Sequence, residues 1–386
     1  MENNKENFNI VLFIILLSIL MFIYKPLIIE AIIHNSLDFQ WSPSKLVANG
    51  VNHYQYMLDG NREKIIGSQF GEYLHGTYIL YYPLTLLSWY HAKIAWLIVN
   101  IILVILIPYL ICKKYLLDTY KTLLIIFFFA ACNVTKVNLI IGQYSLFIMF
   151  FLCLPFLYKS KLTLILSGIS YFKYSIGYVL FLNYLVTKNI KKIIFSFIPV
   201  LIGIIIYSFV TNTNIFLTFF QPIELAIQSQ LTDHQGQSIM PKNIFLFSIF
   251  EFLNLNNFKY KSFLFIALSV LINFLIIIKI QKIKDDLLNL SCLCLSCLIF
   301  FPHYPHDYIL ILPLLIHSIK NFKFFYSKIN FFLSVYFLNF FRIIDIYTPK
   351  IFKNIFYLSE FFINYLNILL LLLILVMNIL KFEKFK

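Results

Sequence analysis

IAWLIVNIILVILIPYLICKK, residues 94–114, decides the fold class. From Ile94 to Cys112 nothing is charged, and the run closes on the pair Lys113–Lys114. A helix crossing the roughly 30 Å of bilayer hydrocarbon needs about 20 such residues. Comparable runs recur at 8–24, 138–158, 193–210, 262–278 and 361–380. The chain is 61% hydrophobic and 12% charged, roughly half the charged share of a soluble domain. It therefore reads as all-α, a polytopic transmembrane helix bundle forming a single integral membrane domain over 1–386. About 10–13 spans or partial spans are expected. A polar run, Glu2 to Asn7, precedes the first span, and no small-residue cleavage site follows it, the pattern of a retained span and not of a signal peptide.

The net charge of +14 would suggest a nucleic-acid partner in a soluble protein. Here the lysines stand as short clusters between apolar runs: Lys113/Lys114, Lys159/Lys161, Lys188/Lys191/Lys192, Lys279/Lys282/Lys284, Lys320/Lys323 and Lys381/Lys384/Lys386. Clusters of this kind mark the cytoplasmic ends of spans, so the charge is topology and no nucleic acid is expected. Placing them inside a plasma (inner) membrane makes residues 30–75 a first extracytoplasmic loop and 211–243 a second. Lys25, at the outer end of the first span, is the one exception. Residues 76–112 exceed one simple span, so a short helix ending near Tyr90 followed by 94–112 gives two crossings, or a partial and a full one. The six cysteines all lie within apolar runs. Of Cys292, Cys294 and Cys297, only the last pair has helical spacing for a shared face, so neither a disulfide nor a metal site is expected.

In the first loop, SLDFQWSPSKLVANG (36–50) follows the exit of the first span. Ser42 reads as a helix N-cap and Pro43 as the first helical residue. Val47, Val51, Tyr54 and Leu58 recur at helical spacing up to Gly60, opposite Asn49, Asn52, His53 and Gln55. That is an amphipathic interfacial helix. Asp38 sits between span and helix, where low-dielectric surroundings suit a general base. The bland reading is a solvated loop acid, and Phe39 and Trp41 are either sugar-stacking rings or interfacial anchors.

Four further stretches carry chemistry. GISYFKYSIG (168–177) puts Lys173 in the middle of an apolar stretch broken by Gly168 and Gly177. The two halves are too short to span, a form tolerated where helices line a wet cavity. A lysine there is either snorkelling or functional, and as a cation it suits a phosphate. FPHYPHDYIL (301–310) packs His303, His306 and Asp307 with two prolines in a turn between spans. Its histidines suit metal ligation, phosphate binding or proton transfer; the bland reading is a polar cap with Asp307 opening the next helix. NVTKVNLIIGQYSL (133–146) places Asn133 and Lys136 ahead of Gly142–Gln143, a plain helix-start pair when taken alone. EYLHGTYILYYPL (72–84) brings His75 and a run of tyrosines that on its own reads as an interfacial belt. Six of the eight histidines (His34, His53, His75, His234, His303 and His306) fall on the expected outer side, as do Asp38, Gln143 and Lys173.

The order of these pieces along the chain resembles the GT-C class of integral membrane glycosyltransferases. In detail it is similar to glycosyltransferase family 87, whose named members are polyprenyl-phosphate-mannose-dependent alpha-mannosyltransferases. Asp38–Phe39, YYPL at 81–84, Asn133 with Gly142–Gln143, Lys173 and the PHYPHDY turn carry the resemblance. The family's Asp-Phe is commonly followed closely by a Tyr-Tyr pair, whereas Tyr54 and Tyr56 come later here. The resemblance implies a GT-C-like core and a hexosyltransferase that moves a hexose, mannose first, from a polyprenyl-phosphate sugar to a lipid or glycan acceptor with inversion. It implies Asp38 as catalytic base and Lys173, His303 and His306 on the donor phosphate. His75, Tyr81, Asn133, Lys136, Gln143 and Asp307 are the expected substrate contacts. No cofactor is expected, and a divalent cation has no clear ligand set. The rivals are a transporter or flippase of a lipid-linked sugar, whose polar sites should open to both sides, and a polysaccharide polymerase or ligase, which should lean on more arginines than Arg62 and Arg342.

Overall fold

In the computed structural model, residues 2–33, 39–66, 69, 71, 73–231, 261–300, 303, 305–338 and 369–380 are described, and among them every regular element is helical. The first crossing, α1 (Glu2–Ile33), leads to a cap of short helices: α2 (Trp41–Ala48), α3 (His53–Leu58), α4 (Gly76–Leu80) and α5 (Tyr82–Thr85). One continuous span, α6 (Trp89–Lys114), follows. The 76–112 ambiguity thus resolves to a single crossing, because Ser88 caps α6 and the preceding helices are only single turns. On α6, Ile98, Ile102 and Ile105 form an exposed apolar stripe opposite the buried Val104, Ile107 and Ile111, one face for lipid and one for the bundle.

Helix α7 (Thr119–Ala131) starts at the Asp118 N-cap and bends by 55° into α8 (Asn133–Ile140). Then come α9 (Ser145–Leu157), α10 (Lys161–Ser167), a 3-10 turn (Gly168–Phe172), α11 (Tyr174–Val186), α12 (Ile190–Val210) and α13 (Ile215–Leu231). The chain continues with α14 (Lys261–Ile280), α15 (Asp286–Phe300), a second 3-10 turn (Pro305–Ile311), α16 (Leu312–Lys320), α17 (Phe325–Phe337) and α18 (Leu369–Leu380). Among the described residues, three helices are long and apolar enough to cross a membrane by themselves, α7 with α8 makes a fourth, and seven shorter apolar helices join them. The chain is a multi-pass membrane protein.

Four of the lysine clusters, Lys113/Lys114, Lys188/Lys191/Lys192, Lys279/Lys282/Lys284 and Lys320/Lys323, lie at one end. Lys320 lies over the Tyr115 ring at 5.4 Å, Lys192 over Tyr184 at 5.6 Å, and His317 reaches Asp285 at 3.8 Å. The Gln281 amide meets Asn183 at the same end. Trp96, at the other end of α6, is about 25 Å away from Lys113 at 1.5 Å per residue.

Two expectations change. Residues 43–59 form two helices, not one, because Gly50 takes φ +77° and closes α2. Val51 N–H returns to Leu46 O at 3.0 Å and Gly50 N–H to Val47 O at 2.9 Å, a Schellman end. Asn52 then caps α3, and Gln40 occupies the cap position of α2 in place of Ser42. The Ser42 hydroxyl instead accepts from Ile66 N at 3.0 Å, and its own N–H goes to Gln69 at 2.9 Å. The second polar loop likewise contains α13, whose Thr218 and Leu225 are buried while Phe216 and Leu217 are exposed.

The broken helix is as its sequence suggests. Lys173 leaves the helical region at φ −99°, ψ 84°, between the 3-10 turn and α11. The two flanking glycines are where backbones touch. A Cβ on Gly168 would stand 1.8 Å from Ser196 O on α12, and one on Gly177 would stand 2.3 Å from Ser170 O. Gly168→Ala is therefore expected to cost about 1–3 kcal/mol as overpacking, read as a lower melting temperature of the detergent-solubilised protein.

Candidate active site

The Lys173 turn points its side chain into the bundle. Lys173 is 7% exposed, and its ammonium donates to Ser145 Oγ at 2.7 Å and Asp307 Oδ1 at 2.8 Å. Ser145 opens α9 and its hydroxyl also donates to Asp307 Oδ1. Asp307, in the second 3-10 turn, takes His303 Nδ1 on Oδ2 at 2.9 Å. His303 Nε2 lies 3.2 Å from Cys297 Sγ on α15. Three segments far apart in sequence are tied by this one buried ion pair. Such a pair is held by exact partnering, since either charge alone is costly away from water.

The ammonium has three protons, and the described residues take two, leaving one N–H of a fixed cation. His306 Nε2 is 3.9 Å from Asp307 Oδ1, beyond hydrogen-bond length. Its backbone carbonyl accepts from Asn138 Nδ2 at 2.7 Å, which fastens the turn to α8. Gln143 is buried two positions before Ser145, and its N–H returns to Asn138 O at 2.9 Å. Among the described residues no hydrogen-bond partner takes the side-chain oxygens of Asn138 and Gln143. Asn133 and Lys136 are half-buried at the start of α8, outside the Lys173–Asp307 network. Among the described residues no group of three or more His, Cys, Asp or Glu is arranged to hold a metal.

The first-loop cap packs on this end of the bundle. Leu74 N–H meets Phe172 O at 3.0 Å, next to Lys173, and Tyr73 and Tyr144 have ring centroids 5.5 Å apart. Trp96 Nε1 donates to Gly142 O at 3.0 Å. Asp38 lies outside the described residues. Its neighbour Phe39 is fully buried against Tyr81, Trp89 and Trp96, at centroid distances of 5.4, 5.7 and 5.8 Å. Trp41 donates to Leu84 O at 3.0 Å. Both rings are thus packing elements. Tyr81 belongs to the same cluster, 4.8 Å from Trp96 and 5.5 Å from Tyr144.

His53, placed by its sequence pattern on the polar face, is fully buried instead. Tyr207 OH lies 2.9 Å from its Nδ1, and the Tyr54 and Tyr78 rings stand 3.9 Å away. His75 Nε2 lies 2.9 Å from Thr218 O on α13. Burial holds both imidazoles below their ordinary range, His75 at about 4. The folded values lie below the unfolded value of about 6.5. Their contribution is therefore complete above that value and is lost as pH falls from there toward about 4. A thermal melt at about pH 5 is expected to fall below one at about pH 7, and His75→Gln should flatten the difference.

Lys173, His303, His306 and Asp307 come together as one group. Ser145 and Cys297, which join them, carry little local signal: Ser145 stands two residues past a Gly-Gln helix start, and Cys297 reads as one apolar cysteine among several. Residues 76–302 match glycosyltransferase family 87. That stretch contains Tyr81, Asn133, Lys136, Gln143, Ser145, Lys173 and Cys297, and ends one residue before His303. No curated protein and no solved structure matches the chain. The match covers more than half of the chain's length and carries its buried lysine, so this multi-pass protein belongs to glycosyltransferase family 87, a family of GT-C type membrane glycosyltransferases.

Proposed function

We propose that the protein transfers a hexose, mannose first, from a polyprenyl-phosphate sugar to a lipid or glycan acceptor, with inversion, on the extracytoplasmic face of the plasma membrane. The observation that carries this reading is the Lys173 ammonium, fixed by Ser145 and Asp307 near the Trp96 end of α6, away from Lys113 and Lys114. A lipid-linked donor places its phosphate at the membrane face with its tail between spans. There the acceptor oxygen bonds to the anomeric carbon as the bond from that carbon to the phosphate oxygen breaks. The hydroxyl proton passes to Asp38, and the electron pair leaves on the phosphate. The leaving group changes from a phosphodiester to a monoester with an extra negative charge, and a preorganised cation answers that charge where it develops. Lys173 with a histidine of the 303–307 turn fills that role.

The test is a transfer assay in isolated membranes with a panel of radiolabelled polyprenyl-phosphate sugars. Wild-type membranes are expected to label an acceptor from one member of the panel. Asp38→Asn, which keeps size and removes the basic oxygen, is expected to abolish labelling at unchanged protein level. Full activity in that variant removes Asp38 as the base, and no labelling from any donor in wild-type membranes removes the donor class.

A further inference from the structure

His303 stands beside the Lys173–Asp307 pair, and its ring is held on both sides. His303 is 1% exposed and both ring nitrogens are taken. Nδ1 is 2.9 Å from Asp307 Oδ2. That carboxylate is already paired with Lys173 and takes the Ser145 hydroxyl, so the proton between them belongs to Nδ1. Nε2 is 3.2 Å from Cys297 Sγ, and the same sulfur is 3.2 Å from Ser175 O. Ser175 lies two positions after Lys173. The contacts therefore close a ring: Lys173 ammonium, Asp307, His303, Cys297, the Ser175 carbonyl, and back along the backbone to Lys173.

We infer that Cys297 is a positioning residue of the transfer site, holding the His303 ring with Nδ1–H on Asp307, so that His303 anchors the Lys173 ion pair. This rests on the proposed reaction only in calling the site a transfer site. A thiol suits the position because it has one proton and a sulfur that also accepts. With a singly protonated His303, the S–H turns to Nε2. With a doubly protonated ring, the S–H turns to Ser175 O and the sulfur accepts Nε2–H. In both arrangements Nδ1–H stays on Asp307, and Lys173 is not moved.

The experiment has two arms. In lipid-reconstituted protein carrying nitrogen-15 histidine, the eight histidines give imidazole signals, and His303→Gln identifies those of His303. The expected result is a protonated Nδ1 in the wild type and a second tautomer in Cys297→Val, which keeps the volume and loses the sulfur. Cys297→Ser, which keeps a hydrogen-bonding atom, is expected to retain the wild-type tautomer. In the transfer assay, Cys297→Val is expected to lower kcat about 10-fold to 100-fold, the scale on which residues acting through another operate. Donor KM should change little in that variant, because Cys297 acts through the His303 ring. A wild-type His303 whose Nδ1 carries no proton overturns the inference, as does a Cys297→Val protein with unchanged imidazole signals. So does a loss of activity that merely follows a lowered melting temperature equally in the Ser and Val variants. The spectroscopic arm reads no sugar transfer, so it stands or falls apart from the donor assignment.

Discussion

Asp307→Ala is expected to lower the stability of the solubilised protein by about 3–5 kcal/mol, the cost of breaking a buried ion pair from one side. The carboxylate is the anion that Lys173, Ser145 and His303 share. Removing it leaves a buried lysine side chain whose remaining hydrogen-bond partner among the described residues is the Ser145 hydroxyl. The reverse change, Lys173→Met, should cost less, since the Asp307 carboxylate keeps Ser145 and His303 as donors. The double variant Lys173→Met/Asp307→Leu removes both charges and is expected to regain most of the loss, because replacing a whole buried pair by apolar side chains is often neutral or stabilising. Melting of all four proteins in one detergent checks this cycle. If Asp307→Ala melts with the wild type, the ion pair contributes nothing to the fold.

Lys173→Met is expected to reduce sugar transfer by about 10²–10³-fold, the effect of removing one preorganised donor from a developing anion. The loss should appear in donor KM more than in acceptor KM, because the phosphate belongs to the donor. The double variant matters again here: restored folding without restored transfer separates the chemical role of the cation from its structural one. Lys173→Arg keeps the charge, but its planar fork cannot occupy the single-nitrogen seat between Ser145 and Asp307 unchanged, so partial activity is expected. A rise confined to acceptor KM would sink the phosphate assignment.

Much of the fold is legible in the sequence because crossing a bilayer is a local demand. An uncharged run such as 94–112 has few alternatives to a spanning helix, and the lysines at 113–114, 188–192, 279–284 and 320–323 gather at one end. The broken helix around Lys173 could be read for the same reason, from two glycines and a charge within ten residues. What escaped were features fixed by distant partners. Asn49–Gly50 reads as part of a continuing periodic pattern, yet the packing of the cap lets Gly50 end a helix there. His53 shares a helical face with Asn49 and Asn52, but Tyr207, 154 positions later, takes its ring into the core.

The site divides along the same line. The sequence by itself determined that the chain is an all-helical membrane bundle, and which few polar residues it places among apolar ones; both follow from the cost of moving each short segment out of water. Only the tertiary structure decided that Lys173 meets Asp307, 134 positions away, that Ser145 and Cys297 complete the group, and that the Phe39 ring is buried among Tyr81, Trp89 and Trp96. Partnership between buried polar groups is set by distances of about 3 Å, and local periodicity does not encode which distant segment supplies the other atom.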